Sequence, residues 1–72
     1  MIFADKIIKL RKRMGLSQEE LADKMDTSRQ AVSKWEGAQS IPDINKIVQL
    51  ANLFGVTIDY LLKDDMEDEE YS

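Results

Sequence analysis

The residues with the most recognisable chemistry are four polar side chains on one side of a predicted helix. Arg29 and Gln30 are followed, at spacings of three and four residues, by Ser33 and Lys34, so all four lie close together on a helix surface. Arginine and glutamine carry paired hydrogen-bonding groups that match the edges of guanine and adenine in the major groove of DNA. The pattern predicts base contacts from these four side chains. The alternative for each, taken alone, is a solvated surface residue.

Three further residues occupy positions that suit phosphate groups. Ser17, Gln18 and Ser28 lie at predicted helix starts, where backbone N–H groups lack partners within the helix and the helix dipole attracts anions. Contacts of this kind fix a protein on the duplex without reading its sequence. We expect the hydroxyl, amide and backbone N–H groups at these positions to contact DNA phosphates.

The residue types that catalysis and metal binding most often use are missing. The chain contains no cysteine and no histidine, which removes disulfides, the usual zinc sites and most nucleophile–base pairs. The carboxylates of residues 64–72 lack the spacing of a calcium loop, and the sequence has no phosphate-binding loop. We therefore expect neither an enzyme nor a metal or other cofactor.

Five short helical patterns separated by turn signals must position these groups. Apolar residues recur at spacings of three and four, and no segment alternates in the way a half-buried strand would. The patterns predict an all-α fold, a compact five-helix bundle, with helices over residues 3–14, 18–25, 29–36, 44–54 and 58–62. The residues expected to face its core include Phe3, Ile7, Leu10, Met14, Ile44, Ile47, Val48, Ala51 and Phe54.

Residues 17–36 form the unit that carries the polar face. Its first helix begins with an S-x-x-E capping box, and Ala22 is small enough for a second helix to cross closely. Asp26, in the turn, is one of the few types other than glycine that accept a left-handed backbone. Val32 and Trp35 are expected to point inward. This spacing predicts a helix-turn-helix.

Charge is distributed unevenly along the chain. The net charge is −4, yet residues 1–63 carry +2 and residues 64–72 carry −6. This shift predicts a mildly basic DNA-binding domain over residues 1–63 and an acidic, disordered tail over 64–72. The tail could aid solubility, compete with DNA for the basic surface, or bind a protein partner. No apolar run is long enough to span a membrane and no signal peptide is evident, so we expect a cytoplasmic protein with no membrane contact.

Three segments resemble the XRE (xenobiotic response element) helix-turn-helix family, which includes the phage repressors. They read LSQEELADKM at residues 16–25, SRQAVSKWE at 28–36 and IPD at 41–43. The resemblance extends over residues 7–62, and it implies a lambda-repressor-like, five-helix DNA-binding domain of a prokaryotic transcriptional regulator. Two positions depart from the family, since Asp26 and Ala38 stand where glycine is common. The second departure concerns the path of the loop over residues 37–41.

The same resemblance implies roles for particular residues. Base contacts would come from Arg29, Gln30, Ser33 and Lys34, and phosphate contacts from Gln18, Gln39 and Ser40. Because one small domain makes few contacts, we also predict a repressor that binds a pseudo-palindromic operator in double-stranded DNA as a homodimer. Proteins of this family often dimerise through their last helix, so we place the interface at Tyr60, Leu61 and Leu62. The competing interpretation is a protein-interaction module that works through its acidic tail, and the salt dependence of binding separates the two.

Overall fold

Helices account for most of the part of the chain that the structure describes. The computed structural model describes residues 2–63, so the predicted acidic tail lies outside the described residues. Within that range the chain forms α1 (Phe3–Arg13), α2 (Gln18–Lys24), α3 (Arg29–Glu36), α4 (Ile44–Phe54) and α5 (Ile58–Leu62). The all-α prediction is confirmed. Helices α1 and α2 each end one residue earlier than predicted, because Met14 and Met25 belong to the helix caps.

Local hydrogen bonds explain why four of the helices start where they do. The side chains of Ser17, Ser28, Asp43 and Thr57 each accept a hydrogen bond from the backbone N–H three residues further on. At Ser17 the bond is reciprocal, because the Glu20 carboxylate accepts the Ser17 N–H at 2.8 Å. Each cap satisfies a donor that the helix leaves unpaired, and a cap of this type stabilises a helix by about 1 kcal/mol.

Helix ends are closed by residues in the left-handed backbone conformation, including Asp26 (φ 54°) and Ala38 (φ 59°). The expectation for Asp26 is confirmed. After α3, the Gln39 N–H donates to the Lys34 carbonyl at 2.9 Å and the Ala38 N–H donates to the Trp35 carbonyl at 3.3 Å. This is the hydrogen-bond pattern of a Schellman motif. The loop after α3 therefore turns at Ala38, while the preceding Gly37 has an ordinary φ of −90°.

All five helices contribute side chains to the core, and α2 packs against α3. Ile7, Val32, Leu50 and Leu61 are fully buried, and Trp35 is 5% exposed. The core position predicted for Trp35 is thus confirmed. Ala22 is also buried, which allows the close approach of α2 to α3 that a helix-turn-helix requires.

Three apolar residues predicted to face the core do not. Met14, Ile44 and Val48 are 44%, 59% and 36% exposed. Met14 is the C-cap of α1 and lies just beyond the last helical residue, so it does not continue the buried face of that helix. On α4 the buried stripe runs through Ile47, Leu50 and Ala51, and Ile44 and Val48 lie to one side of it. The apolar surface of α4 is therefore wider than the surface that the rest of residues 2–63 covers.

A buried lysine ties α1 to α5. The side chain of Lys6 is completely buried and donates hydrogen bonds to the backbone carbonyls of Tyr60 and Lys63. Its ammonium group also lies 4.7 Å from the centre of the Tyr60 ring, a favourable arrangement for a cation. A cation at the C-terminus of a helix also complements the helix dipole. Lys6 therefore closes the end of α5.

Candidate nucleic-acid interface

Residues 17–36 fold as two helices joined by a turn, not as one continuous rod. The α2 helix ends at Lys24 and α3 begins at Arg29. The Thr27 N–H donates back to the Ala22 carbonyl at 2.9 Å, and the Met25 carbonyl accepts a hydrogen bond from the Lys46 ammonium. The turn is therefore held both by its own backbone and by a side chain from α4.

The four predicted base-contacting residues lie together on an exposed surface. Arg29, Gln30, Ser33 and Lys34 are all exposed, and together with Gln39 they line one open depression. We call the four residues of α3 the α3 outer face. It is opposite Val32 and Trp35, whose burial fixes the rotation of the helix. The structure thus brings Gln39, a predicted phosphate contact, to the edge of this face.

The predicted phosphate-contacting serines are already used as helix caps. The hydroxyl oxygens of Ser17 and Ser28 accept hydrogen bonds from the N–H groups of Glu20 and Ala31 at 3.0 and 3.1 Å. Each hydroxyl still has its own proton to donate, and both residues are exposed. Capping therefore does not prevent either serine from donating to a phosphate oxygen.

Ser40 lies apart from the other predicted contacts. It is exposed, but it lines a mainly apolar groove beside Ile2, Phe3, Trp35 and Ile41. The turn at Ala38 directs the chain from the α3 outer face towards the start of α1. Gln39 and Ser40, adjacent in sequence, therefore border different surfaces.

Gln18 takes part in a polar cluster that sequence spacing did not predict. Its side-chain Nε2 donates to Glu36 Oε1 at 3.0 Å, and its Oε1 lies 3.5 Å from Arg29 Nη1. Arg11 donates to the same carboxylate through Nε at 2.7 Å and Nη2 at 3.1 Å. The Arg11 side chain is 13% exposed and the Glu36 side chain 6%. Arg11 and Glu36 therefore form a largely buried ion pair.

The charges around the α3 outer face favour an anionic partner. Arg29 and Lys34 are exposed cations, and Glu36, the acidic residue of α3, is turned inward and neutralised by Arg11. A bidentate arginine–carboxylate pair is among the stronger charged contacts in proteins. The exposed charges of α3 are therefore cationic, although the whole chain is acidic.

The pKa of Glu20 is lowered by the capping box. The principal cause is the hydrogen bond from the Ser17 backbone N–H, and the second is the bond with the Ser17 hydroxyl. Both favour the ionised carboxylate. Glu20 therefore stays charged at the start of α2, where its negative charge complements the helix dipole.

The interface predicted at Tyr60, Leu61 and Leu62 is wrong for two of its three residues. Tyr60 and Leu61 are completely buried in the core, and only Leu62 is exposed, at 46%. The short α5 points Tyr60 towards Lys6 and Leu61 into the bundle. Neither residue can contact a second copy without unfolding the end of the domain.

Residues 2–63 contain neither a membrane-spanning helix nor a cluster of metal-binding side chains. No helix in this range is long and apolar enough to cross a membrane. No group of three or more acidic side chains in the same range is arranged to hold a metal ion. Every buried side-chain nitrogen or oxygen found there has a hydrogen-bond partner.

Comparison with known proteins matches this geometry to one family. A family model described as helix-turn-helix matches residues 7–61. The HTH-type transcriptional activator BcrR of Enterococcus faecalis is 40% identical over 62 residues, which are 86% of this chain and 30% of that protein. The HTH-type transcriptional regulator ImmR of Bacillus subtilis is 31% identical over 65 residues, 90% of this chain and 51% of that protein.

Solved structures agree with the sequence relatives. The P22 c2 repressor in complex with synthetic operator 9T is similar with a TM-score of 0.84 at 28% identity, covering 90% of this chain and 98% of that one. The solution structure of the P22 c2 DNA-binding domain gives 0.81 at 27% identity, covering 93% and 88%. The chain spans between 30% and 60% of the length of the curated relatives it matches.

Proposed function

The chain belongs to the XRE-type helix-turn-helix family of transcriptional regulators, as its sequence motifs predicted, and we propose that it represses transcription by reading double-stranded DNA with α3 in the major groove. This family consists of regulators and not of enzymes, in agreement with the expectation from composition. A regulator of this kind acts on DNA in the bacterial cytoplasm.

One observation carries the proposal. The α3 outer face is exposed and cationic, and its side chains include the two types that pair best with purine edges. Arg29 and Gln30 are the first two residues of the helix, the end that reaches the bases in helix-turn-helix proteins. Arg29 would contact guanine and Gln30 adenine, with Ser33 and Lys34 extending the contact along the groove.

Phosphate contacts would flank this face on both sides. Ser17 and Gln18 at the start of α2, and Ser28 at the start of α3, offer hydroxyl, amide and backbone N–H groups. Gln39 offers a second amide at the far end of α3. Ser40 lies in the neighbouring apolar groove, so its contact would require the DNA backbone to pass beyond the α3 outer face.

A pseudo-palindromic operator and a homodimer complete the proposal. A single short helix contacts few bases, and two-fold related half-sites supply the remaining specificity. With Tyr60 and Leu61 buried, the exposed apolar residues Leu62, Ile44 and Val48 are the candidates for the contact between copies. Repression is proposed by analogy with the P22 c2 repressor, whereas BcrR is an activator.

Selection of bound sequences from random duplexes tests the proposal. We expect one two-fold symmetric motif, and loss of about 1–3 kcal/mol of binding free energy at that motif for Arg29→Ala or Gln30→Ala, with little change on random DNA. An equal loss on both kinds of DNA would show that these side chains contact only phosphates. Recovery of no motif would refute sequence-specific binding.

The second candidate, a protein-interaction module, is favoured by the net charge of −4 and the exposed apolar residues of α4. The salt dependence of binding distinguishes the two functions. Binding to several phosphates weakens steeply between low and moderate salt, whereas a mainly apolar protein contact does not. A flat salt dependence would favour the protein partner.

A further inference from the structure

Glu36 lies behind the α3 outer face and cannot itself approach DNA bases. Its carboxylate is 6% exposed and accepts three hydrogen bonds, two from Arg11 at 2.7 and 3.1 Å and one from Gln18 at 3.0 Å. The bonds from Arg11 fix the carboxylate in place, because a bidentate guanidinium allows little rotation. Glu36 therefore presents a fixed acceptor to Gln18.

That fixed acceptor decides which way the Gln18 amide points. An amide has a donor end and an acceptor end, and the carboxylate attracts only the donor end. The opposite orientation would place the Gln18 oxygen against a Glu36 oxygen. With its Nε2 held by Glu36, Gln18 turns its Oε1 towards Arg29, whose Nη1 lies 3.5 Å away.

Arg29 thereby gains a partner on one side of its guanidinium. A long exposed arginine can otherwise turn towards phosphates or bases alike. Guanine recognition needs two N–H groups presented together to O6 and N7, and a guanidinium has five N–H donors. A contact through Nη1 to Gln18 leaves enough of these donors for such a pair.

We propose that Glu36 is a positioning residue that sets base discrimination by Arg29, acting through the orientation of the Gln18 amide. This inference rests on the proposed function, since it concerns how the α3 outer face distinguishes guanine from other bases. It gives Gln18 a role in sequence reading in addition to its predicted phosphate contact.

The test compares two single variants and their combination. Gln18→Met removes the amide and keeps the Arg11–Glu36 pair, and Glu36→Gln removes the fixed carboxylate. The readout is the ratio of affinities for guanine over the other bases at the position where Arg29→Ala abolishes discrimination. Each variant should lower this ratio about three- to tenfold, part of what a bidentate arginine–guanine pair provides. The double variant should lower it no further, because both act through one chain of contacts.

A matched control completes the experiment. Gln49→Met, the same substitution as the first variant on an exposed part of α4, should leave the ratio unchanged. Thermal unfolding of every variant separates lost discrimination from lost folding.

Two outcomes would overturn the inference. These are an unchanged ratio in Gln18→Met and losses that multiply in the double variant. Both leave the proposed function standing, because the wild-type protein would still select a motif. Failure of the wild-type protein to select any motif would overturn both.

Discussion

Replacement of Ala38 by glycine should stabilise the domain, although it removes a methyl group. Ala38 adopts φ 59°, and a left-handed conformation costs a residue other than glycine about 1–2 kcal/mol. Glycine avoids that cost, but it is more flexible in the unfolded chain, and this flexibility offsets roughly 0.5–1 kcal/mol of the gain in stability. The net gain in the free energy of unfolding should be about 0.5–1 kcal/mol, or a rise in melting temperature of roughly 2–8 °C for a domain of this size.

The assay is urea unfolding followed by the fluorescence of Trp35, which is buried in the core. Ala31→Gly within α3 is the matched control, because Ala31 has helical backbone angles and the substitution should cost about 1 kcal/mol. The same alanine-to-glycine change should thus lower the free energy of unfolding at position 31 and raise it at position 38. A lower urea midpoint for Ala38→Gly at an unchanged slope would refute the reasoning.

Three further predictions follow from other parts of the structure. Lys6→Met should lower the free energy of unfolding by about 1–3 kcal/mol in urea titrations, because two carbonyls at the end of α5 lose their donor; unaltered stability would show that water replaces it. The lowered pKa of Glu20 means that its contribution to stability is complete above the ordinary pKa of glutamate and is lost as the pH falls through the lowered value. Glu20→Gln should therefore flatten the acid side of a stability–pH profile, and an identical profile would contradict this. Ile44→Asp and Leu62→Asp should leave the monomer folded and, if these residues join two copies, shift sedimentation to the monomer and weaken operator binding; a dimer that survives both would place the contact elsewhere.

The features that the sequence predicted well are those decided within a few residues. The caps at Ser17 and Ser28 depend on a side chain and a backbone N–H three positions away, so the local pattern is sufficient. The exposure of Arg29 and Gln30 follows from the inward position of Trp35 by helical geometry alone. Their contacts with DNA remain predictions, because exposure does not identify a ligand.

The features that the sequence did not predict are those decided by residues far apart in the chain. Arg11 and Glu36 are 25 positions apart, and no helical spacing links them. Lys6 lies three and four positions from Phe3 and Leu10, so its spacing placed it on the buried face, but lysine is almost never buried without partners. Those partners are carbonyls 54 and 57 residues away. The exposure of Ile44 likewise depends on which part of α4 its neighbours reach.

The position of Lys6 and Arg11 on α1 links the end of α5 to the end of α3. They are five residues apart, which is about 7.5 Å along a helix axis. Lys6 holds the last turn of α5, and Arg11 holds the carboxylate of Glu36, the last residue of α3. Because both contacts start from α1, unfolding of that helix would release the end of α5 and the Glu36 carboxylate together.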